Sequence, residues 1–325
     1  MTSTATTRRW RRGALGLLTA GALASATVAT SLPAQAARPA EPHPAAVTPA
    51  GSPPPEEFWG DVGSIPPAQN ELMVKVVNQT NGQYPDDQVY WTFNGETHSI
   101  AEQPYLDMPA NSAGRMEFHL GAPDSPLTDF IEFTVGENVF NGNTTRVDAF
   151  GLKLAMRLHA DDGFDASFGE DYETFQESRE QTFQKFRDEV PEEFEHLADD
   201  PNRIIAPGSS PEFQDGGAQA NYFTDYANSV GVNETTKNIF GCAGGLGGDA
   251  NKCAALNRHV ADLPEDQQHD PSKFYPTGPA NYYAKFWHDH NIDGKAYGFP
   301  YDDVAEQASY VSHEGPQWLV VAVGW

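Results

Sequence analysis

Two cysteines, Cys242 and Cys253, are all that 325 residues contain. So few exclude a disulfide-dense scaffold, and a zinc cluster would need more ligands at fixed spacing. Basic residues are also scarce, with 20 Lys and Arg against 46 Asp and Glu and a net charge of −26. Phosphate backbones are gripped by clustered Lys and Arg, so nucleic acid is excluded as a partner, and an anionic membrane surface is disfavoured on the same ground. After residue 36 no run approaches the twenty or so apolar residues that a membrane span needs. GCAGGLGG lacks the Gly-Lys-Ser/Thr of a phosphate loop, and no serine lies in a Gly-x-Ser-x-Gly context. A neutral polymer is the large substrate class that so acidic a surface would not repel.

What is present begins with an export signal. Arg8, Arg9, Arg11 and Arg12 precede the apolar run 13–26, and Ala34-Gln35-Ala36 forms a small-residue cleavage pattern. Residues 1–36 are therefore expected to be a signal peptide cut after Ala36, carried by the Sec or the twin-arginine route, leaving a secreted chain of net charge −30 once its four arginines are gone. The following Pro/Ala-rich stretch has no periodicity and predicts a disordered linker over 37–67. In an oxidising compartment Cys242 and Cys253 are expected to pair, closing the loop CAGGLGGDANKC.

Residues 72–158 are strand-rich, with short alternating runs bounded by Asn, Gly, Pro and Asp. Between 171 and 197 apolar residues at Tyr172, Phe175, Phe183, Phe186 and Val190 predict one amphipathic helix ending near Val190-Pro191, then a short second one. Helices are also expected over 218–230, 253–262 and 279–291, and a strand over 317–325. A β start, a helical middle and a β finish predict an α+β, mainly β fold whose last strand returns to the first sheet. The β-rich part is placed at about 68–158 plus 308–325, and the mixed part at about 159–307.

The segment from Asp129 to Leu154 carries the chemistry. Period two sends Ile131 and Phe133 one way and Glu132 and Thr134 the other, and it sets Asp148 opposite Val147 and Ala149. Paired strands would then project Glu132 and Asp148 from one sheet face, beside Thr134, Thr144 and Thr145. Two carboxylates facing one space suit glycoside hydrolysis, the acid needing a raised pKa and the base an ionised one. Phe130, Phe133 and Phe140 are expected to wall the acid, and Arg146, two residues away, to hold Asp148 ionised. His288 and His290, two apart on a helix, diverge, so no metal site is expected there. Asp302 and Asp303 read as caps.

The ordered motifs IEFT (131–134), TRVDAFGLKL (145–154), CAALNRHV (253–260) and FWHDHNIDGKAYGFPYDDV (286–304) together resemble glycoside hydrolase family 64, the laminaripentaose-producing β-1,3-glucanases. The resemblance spans about 72–325 and implies a thaumatin-like fold, with a β-barrel or sandwich domain and a mixed α/β domain flanking a wide groove; residues 68–325 would be the catalytic domain. It implies an inverting, endo-acting enzyme with β-1,3-glucan as its partner, working as a monomer without metal or cofactor and releasing products such as the pentaose. Glu132 would be the general acid and Asp148 the base, with Thr134 and Thr145 near substrate. Where members carry a tryptophan between the acids, this chain offers Phe140 and Asn141. A non-catalytic glucan- or wall-binding protein on the same fold is the competing reading.

Overall fold

A computed structural model describes residues 51–325. The expected signal peptide and the linker through residue 50 lie outside the described residues.

Two sheets form a sandwich. One has five strands in the order β10-β9-β13-β1-β4: β1 (Leu72–Gln79), β4 (Tyr105–Met108), β9 (Lys153–Ala160), β10 (Asp165–Gly169) and β13 (Pro316–Gly324). The last strand returns to the first, as expected, and pairs with it in parallel, Met73 opposite Trp318 through Gln79 opposite Gly324. The other sheet has six antiparallel strands in the order β12-β7-β6-β5-β2-β3: β2 (Val89–Phe93), β3 (Glu96–Ser99), β5 (Ser112–Leu120), β6 (Thr128–Gly136), β7 (Val139–Thr144) and β12 (Tyr310–Glu314). Alternation in β5 and β6 turns Met116, Phe118, Leu120, Ile131, Phe133 and Val135 inward onto Leu154, Met156, Leu319, Val321 and Val323. Their other face is thereby left outside.

Residues 51–67 correct the expected linker. Phe58 and Trp59 are buried with Phe175 against Ala155, Val320 and Ala322, on the outer face of the five-stranded sheet. That explains why QWLVVAVG is apolar at every other step and the next: β13 is covered on both faces, so neither side tolerates charge. Proline-rich composition hid two aromatic anchors.

Between β10 and β12 short helices joined by turns and loops pack around a second core that includes Phe186, Phe194, Phe213, Phe240, Tyr283 and Trp287. The single helix expected over 171–190 is two, α1 (Tyr172–Gln176) and α2 (Arg179–Glu189), followed by the short α3 (Glu192–Glu195). Ser178 starts α2 with a capping box: its hydroxyl accepts from Gln181 N while Gln181 Oε1 accepts from Ser178 N. Such a cap stabilises by about 1 kcal/mol, enough to favour a break where apolar spacing alone is continuous. The three later expected helices are shorter than read: α4 (Thr224–Ser229), α6 (Ala250–Asn257) and α7 (Tyr282–Asp289), with an unforeseen α5 (Thr236–Phe240) between the first two. Cys242 and Cys253 form the expected disulfide. Strand structure continues to Gly169, beyond the expected boundary at 158.

Candidate active site

Glu132 stands near the middle of β6, on the outer face of the six-stranded sheet, where register sets it between Arg115 of β5 and Asn143 of β7. Arg115 Nε donates to Glu132 Oε1 at 3.0 Å, and its Nη1 lies 3.3 Å from Asp148 Oδ2. One guanidinium thus joins the two acids. It is steadied from below by Phe130, whose ring centroid is 4.0 Å from Arg115 Cζ. The Glu132 side chain is 36% exposed and that of Asp148 61%, so both remain open to a ligand. Nearby, burial and then the acids Asp303, Asp302 and Glu132 push the Tyr297 hydroxyl up to about 12, leaving it a proton donor at neutral pH.

Asp148 does not come from a strand beside β6. After β7 the chain bends through 145–148 before a two-residue strand, β8 (Ala149–Phe150), pairs with β11 (Ile204–Ile205). Thr145 Oγ1 accepts from Val147 N, Arg146 N donates to Tyr297 O, Tyr283 Oη donates to Arg146 O, and Asp148 O accepts from Ala206 N. Helical and sheet parts both hold this bend. A Cβ at Gly151 would collide with the Thr128 carbonyl, so only glycine lets the chain pass β6 there.

The same bend overturns the expected role of Arg146. In an extended strand it would share a face with Asp148; here it turns inward and is fully buried. Its Nε and Nη2 donate to Glu170 at 2.7 Å each, and Nη1 to Asp129 Oδ2 at 2.8 Å. Backbone N–H groups complete the shell, Gly151 and Leu152 on Asp129 and Leu154 on Glu170. Burial holds the Asp129 carboxyl above its ordinary range despite the pull of Arg146, while those two carboxylates lift the arginine. Arg146 fastens the loop that presents Asp148, and the cation beside Asp148 is Arg115.

Other expected site residues divide. Thr134 is exposed on the Glu132 face, opposite Asn141 in register. Asn141 accepts a hydrogen bond from the Tyr310 hydroxyl at 3.0 Å. Phe140 is fully buried between the sheets, on the face opposite Asn141, and cannot touch a ligand lying on the acids. Phe133 shares that core; only Phe130 is on the acids' face, and it holds arginine rather than forming an apolar wall. Thr145 is buried at the bend, its hydroxyl spent on Val147. His288 and His290 do diverge: His288 reaches Asp302 and the Gly294 carbonyl, His290 reaches Glu189. Asp302 is not an exposed cap but a fully buried acid between Arg258 and His288. Among the described residues no group of three or more His, Cys, Asp or Glu is placed to hold a metal, and no helix is long and apolar enough to cross a membrane. A cavity of about 320 Å³ lies among the helices, lined by Val230, Lys252 and His269 among others, and touches neither acid.

Arg115 is the residue that reading the sequence missed. GRMEFHL displays the alternation that sends Arg115, Glu117 and His119 outward. Only the pairing register of β5 with β6 says which of these meets Glu132.

A family model described as "Beta-1,3-glucanase", that of glycoside hydrolase family 64, matches residues 124–234 and 231–323, an extent that includes both acids. Among solved structures, the laminaripentaose-producing β-1,3-glucanase of that family from Paenibacillus barengoltzii is 35% identical, with 81% of this chain and 77% of that one covered and a TM-score of 0.73. Its complex with laminarihexaose matches at 34% identity, the same coverage and a TM-score of 0.73. A β-1,3-glucanase domain from Clostridium beijerinckii, 23% identical, shares the fold at a TM-score of 0.71, with 80% of this chain and all of that one covered. No curated protein matches the chain.

Proposed function

The chain belongs to glycoside hydrolase family 64, the β-1,3-glucanases, and on that premise we propose that it cuts long β-1,3-glucan internally with inversion, releasing short laminari-oligosaccharides such as the pentaose. The observation that carries this reading is the pair Glu132 and Asp148, exposed on one surface and joined through Arg115. Glu132 is the acid that protonates the glycosidic oxygen; Asp148 is the base that takes a proton from the attacking water. Inversion needs the carboxyls about 6.5–9.5 Å apart so that this water fits between base and sugar. Holding them through an intervening guanidinium, rather than in direct contact, suits that requirement.

The ion pair of the free protein also imposes a condition. A carboxylate bonded to arginine is not a proton donor, so glucan must draw Arg115 away from Glu132 as it seats. The cation then stays with Asp148, the base, while the seated sugar covers Glu132 and keeps bulk water from it. A groove between the sheet face and the helical part, as in a thaumatin-like architecture, would seat the polymer across both acids.

Glu132→Gln and Asp148→Asn test the assignment. Each should lower sugar release from curdlan or laminarin by at least about a hundredfold while leaving folding intact. Parental rates in either variant would remove that residue from the chemistry. The anomer first formed, read by proton NMR, distinguishes inversion from retention. We further read the chain as exported, because a charged segment, an apolar run and an A-x-A site stand in order at its start; protein from the culture medium should begin at Ala37.

A further inference from the structure

Cross-strand register draws a line across the outer face of the six-stranded sheet. Arg115 of β5 lies opposite Glu132 of β6, Glu132 opposite Asn143 of β7, and Asn143 opposite Tyr310 of β12. Tyr310 is the one large hydrophobic side chain that is exposed among the described residues, at 47%. The other aromatics are buried or part-buried, most of them in the three cores. An exposed ring on an edge strand finds no packing partner inside the fold, yet this ring has a fixed place. Its hydroxyl donates to Asn141 Oδ1 at 3.0 Å, not to the directly opposed Asn143, so the side chain leans diagonally across β7.

The position is set by strand spacing. Neighbouring strands lie about 4.8 Å apart, which puts Tyr310 two strands, roughly 10 Å, from Glu132 along the line that also contains Arg115. Between them the surface is polar: Asn141 and Thr134 face each other across the β6–β7 pair. An aromatic face beside amide and hydroxyl groups matches a pyranose, whose C–H face packs on π-density while its edge hydroxyls seek hydrogen bonds.

We propose that Tyr310 is the stacking platform of a sugar subsite one to two rings from the cleavage point, with Asn141 fixing the ring and, with Thr134, bonding sugar hydroxyls. The platform rests on the glucanase reading of Glu132 and Asp148, and it makes Tyr310 a determinant of where along the polymer those acids cut. Since Phe140 of β7 is inside the core, β12 rather than β7 supplies the aromatic surface.

The test uses full-length protein carrying Glu132→Gln, so that ligand is not consumed, and laminarihexaose as the probe in isothermal titration calorimetry. Adding Tyr310→Ala should raise Kd about tenfold, the equivalent of ~1.4 kcal/mol. Adding Tyr310→Phe, which keeps the ring, should raise it less than about threefold. In the otherwise unmodified enzyme, Tyr310→Ala should raise KM for laminarihexaose more than it lowers kcat and should change the product-length distribution. An unaltered Kd in Tyr310→Ala overturns the platform. Equal losses in the Ala and Phe variants overturn stacking, because the hydroxyl would then be the part that counts. If the unmodified protein releases no sugar from curdlan, it is the glucanase reading that fails, a result separable from either of the others.

Discussion

Replacing Arg146 by methionine would keep the volume and remove the charge from the most heavily bonded side chain near the site. Its guanidinium makes five hydrogen bonds, to Glu170 twice, to Asp129, and to the carbonyls of Thr145 and Leu152. Removing one member of a buried ion pair typically costs about 3–5 kcal/mol, because the partner is left charged and unpaired. Here two acids lose one cation, which argues for the upper end. Both nevertheless keep backbone donors, Gly151 and Leu152 on Asp129 and Leu154 on Glu170, which argues against doubling it. A loss of about 4–5 kcal/mol is therefore expected, against a total stability on the order of 5–15 kcal/mol. Urea unfolding followed by tryptophan fluorescence measures it. The sign of its pH dependence follows from Asp129. Burial already raises that carboxyl, and Arg146 is the largest influence pulling it down; without the arginine it rises further. A raised carboxyl contributes stability below its unfolded pKa and loses it as pH climbs through the folded one. The deficit of Arg146→Met should thus be largest at neutral pH and shrink as the solution is acidified. A loss below ~1 kcal/mol, or one flat across pH, would refute the placement of Arg146 as the cation of this cluster.

The half-exposed Arg115 gives the opposite profile. Arg115→Met should cost under about 1 kcal/mol of stability, as surface ion pairs do, yet lower kcat/KM on laminarin at least tenfold; parental kinetics would mean that the acids are positioned without it. Replacing Cys242 and Cys253 by serine opens a loop with a sequence separation of 11. By chain entropy this should cost about 2.7 kcal/mol and lower Tm by roughly 5–10 °C. Neither acid hydrogen-bonds to the loop, so activity on curdlan below the new Tm should be retained; a loss of activity there would tie the loop to the site through Pro300 and Tyr301, which it contacts.

How far residues could be read depended on the distance over which their conformation is decided. Glu132 was legible because β6 is a regular strand whose alternation is local. Asp148 was legible as a residue but not as a piece of structure. TRVDAF alternates like a strand, yet Arg146 is pulled inward by Asp129 and Glu170, acids 17 and 24 positions away. The face given to Arg146, and with it the identity of the cation beside Asp148, failed for that reason. Phe140 was read as part of the loop between the acids, but it lies in β7, whose phase turns it into the core. Arg115 and Tyr310 required the strand order β12-β7-β6-β5, which short patterns do not encode. Apolar periodicity located α2 but not its start, which Ser178 and Gln181 determine.

The central place of β13 bears on the timing of folding. The five-stranded sheet has β9 and β1 on either side of this strand, and its partner β1 is almost the whole described chain away. Until β13 has been made, β1 and β9 are two long apolar strands, each with an open edge. Such edges template pairing between chains, and contacts this distant in sequence close slowly. The sandwich cannot close before β13 has been made, so the partial chain must be kept apart from its own copies through that interval. Truncation before Pro316 should accordingly abolish folding of the whole sandwich rather than fray one edge of it.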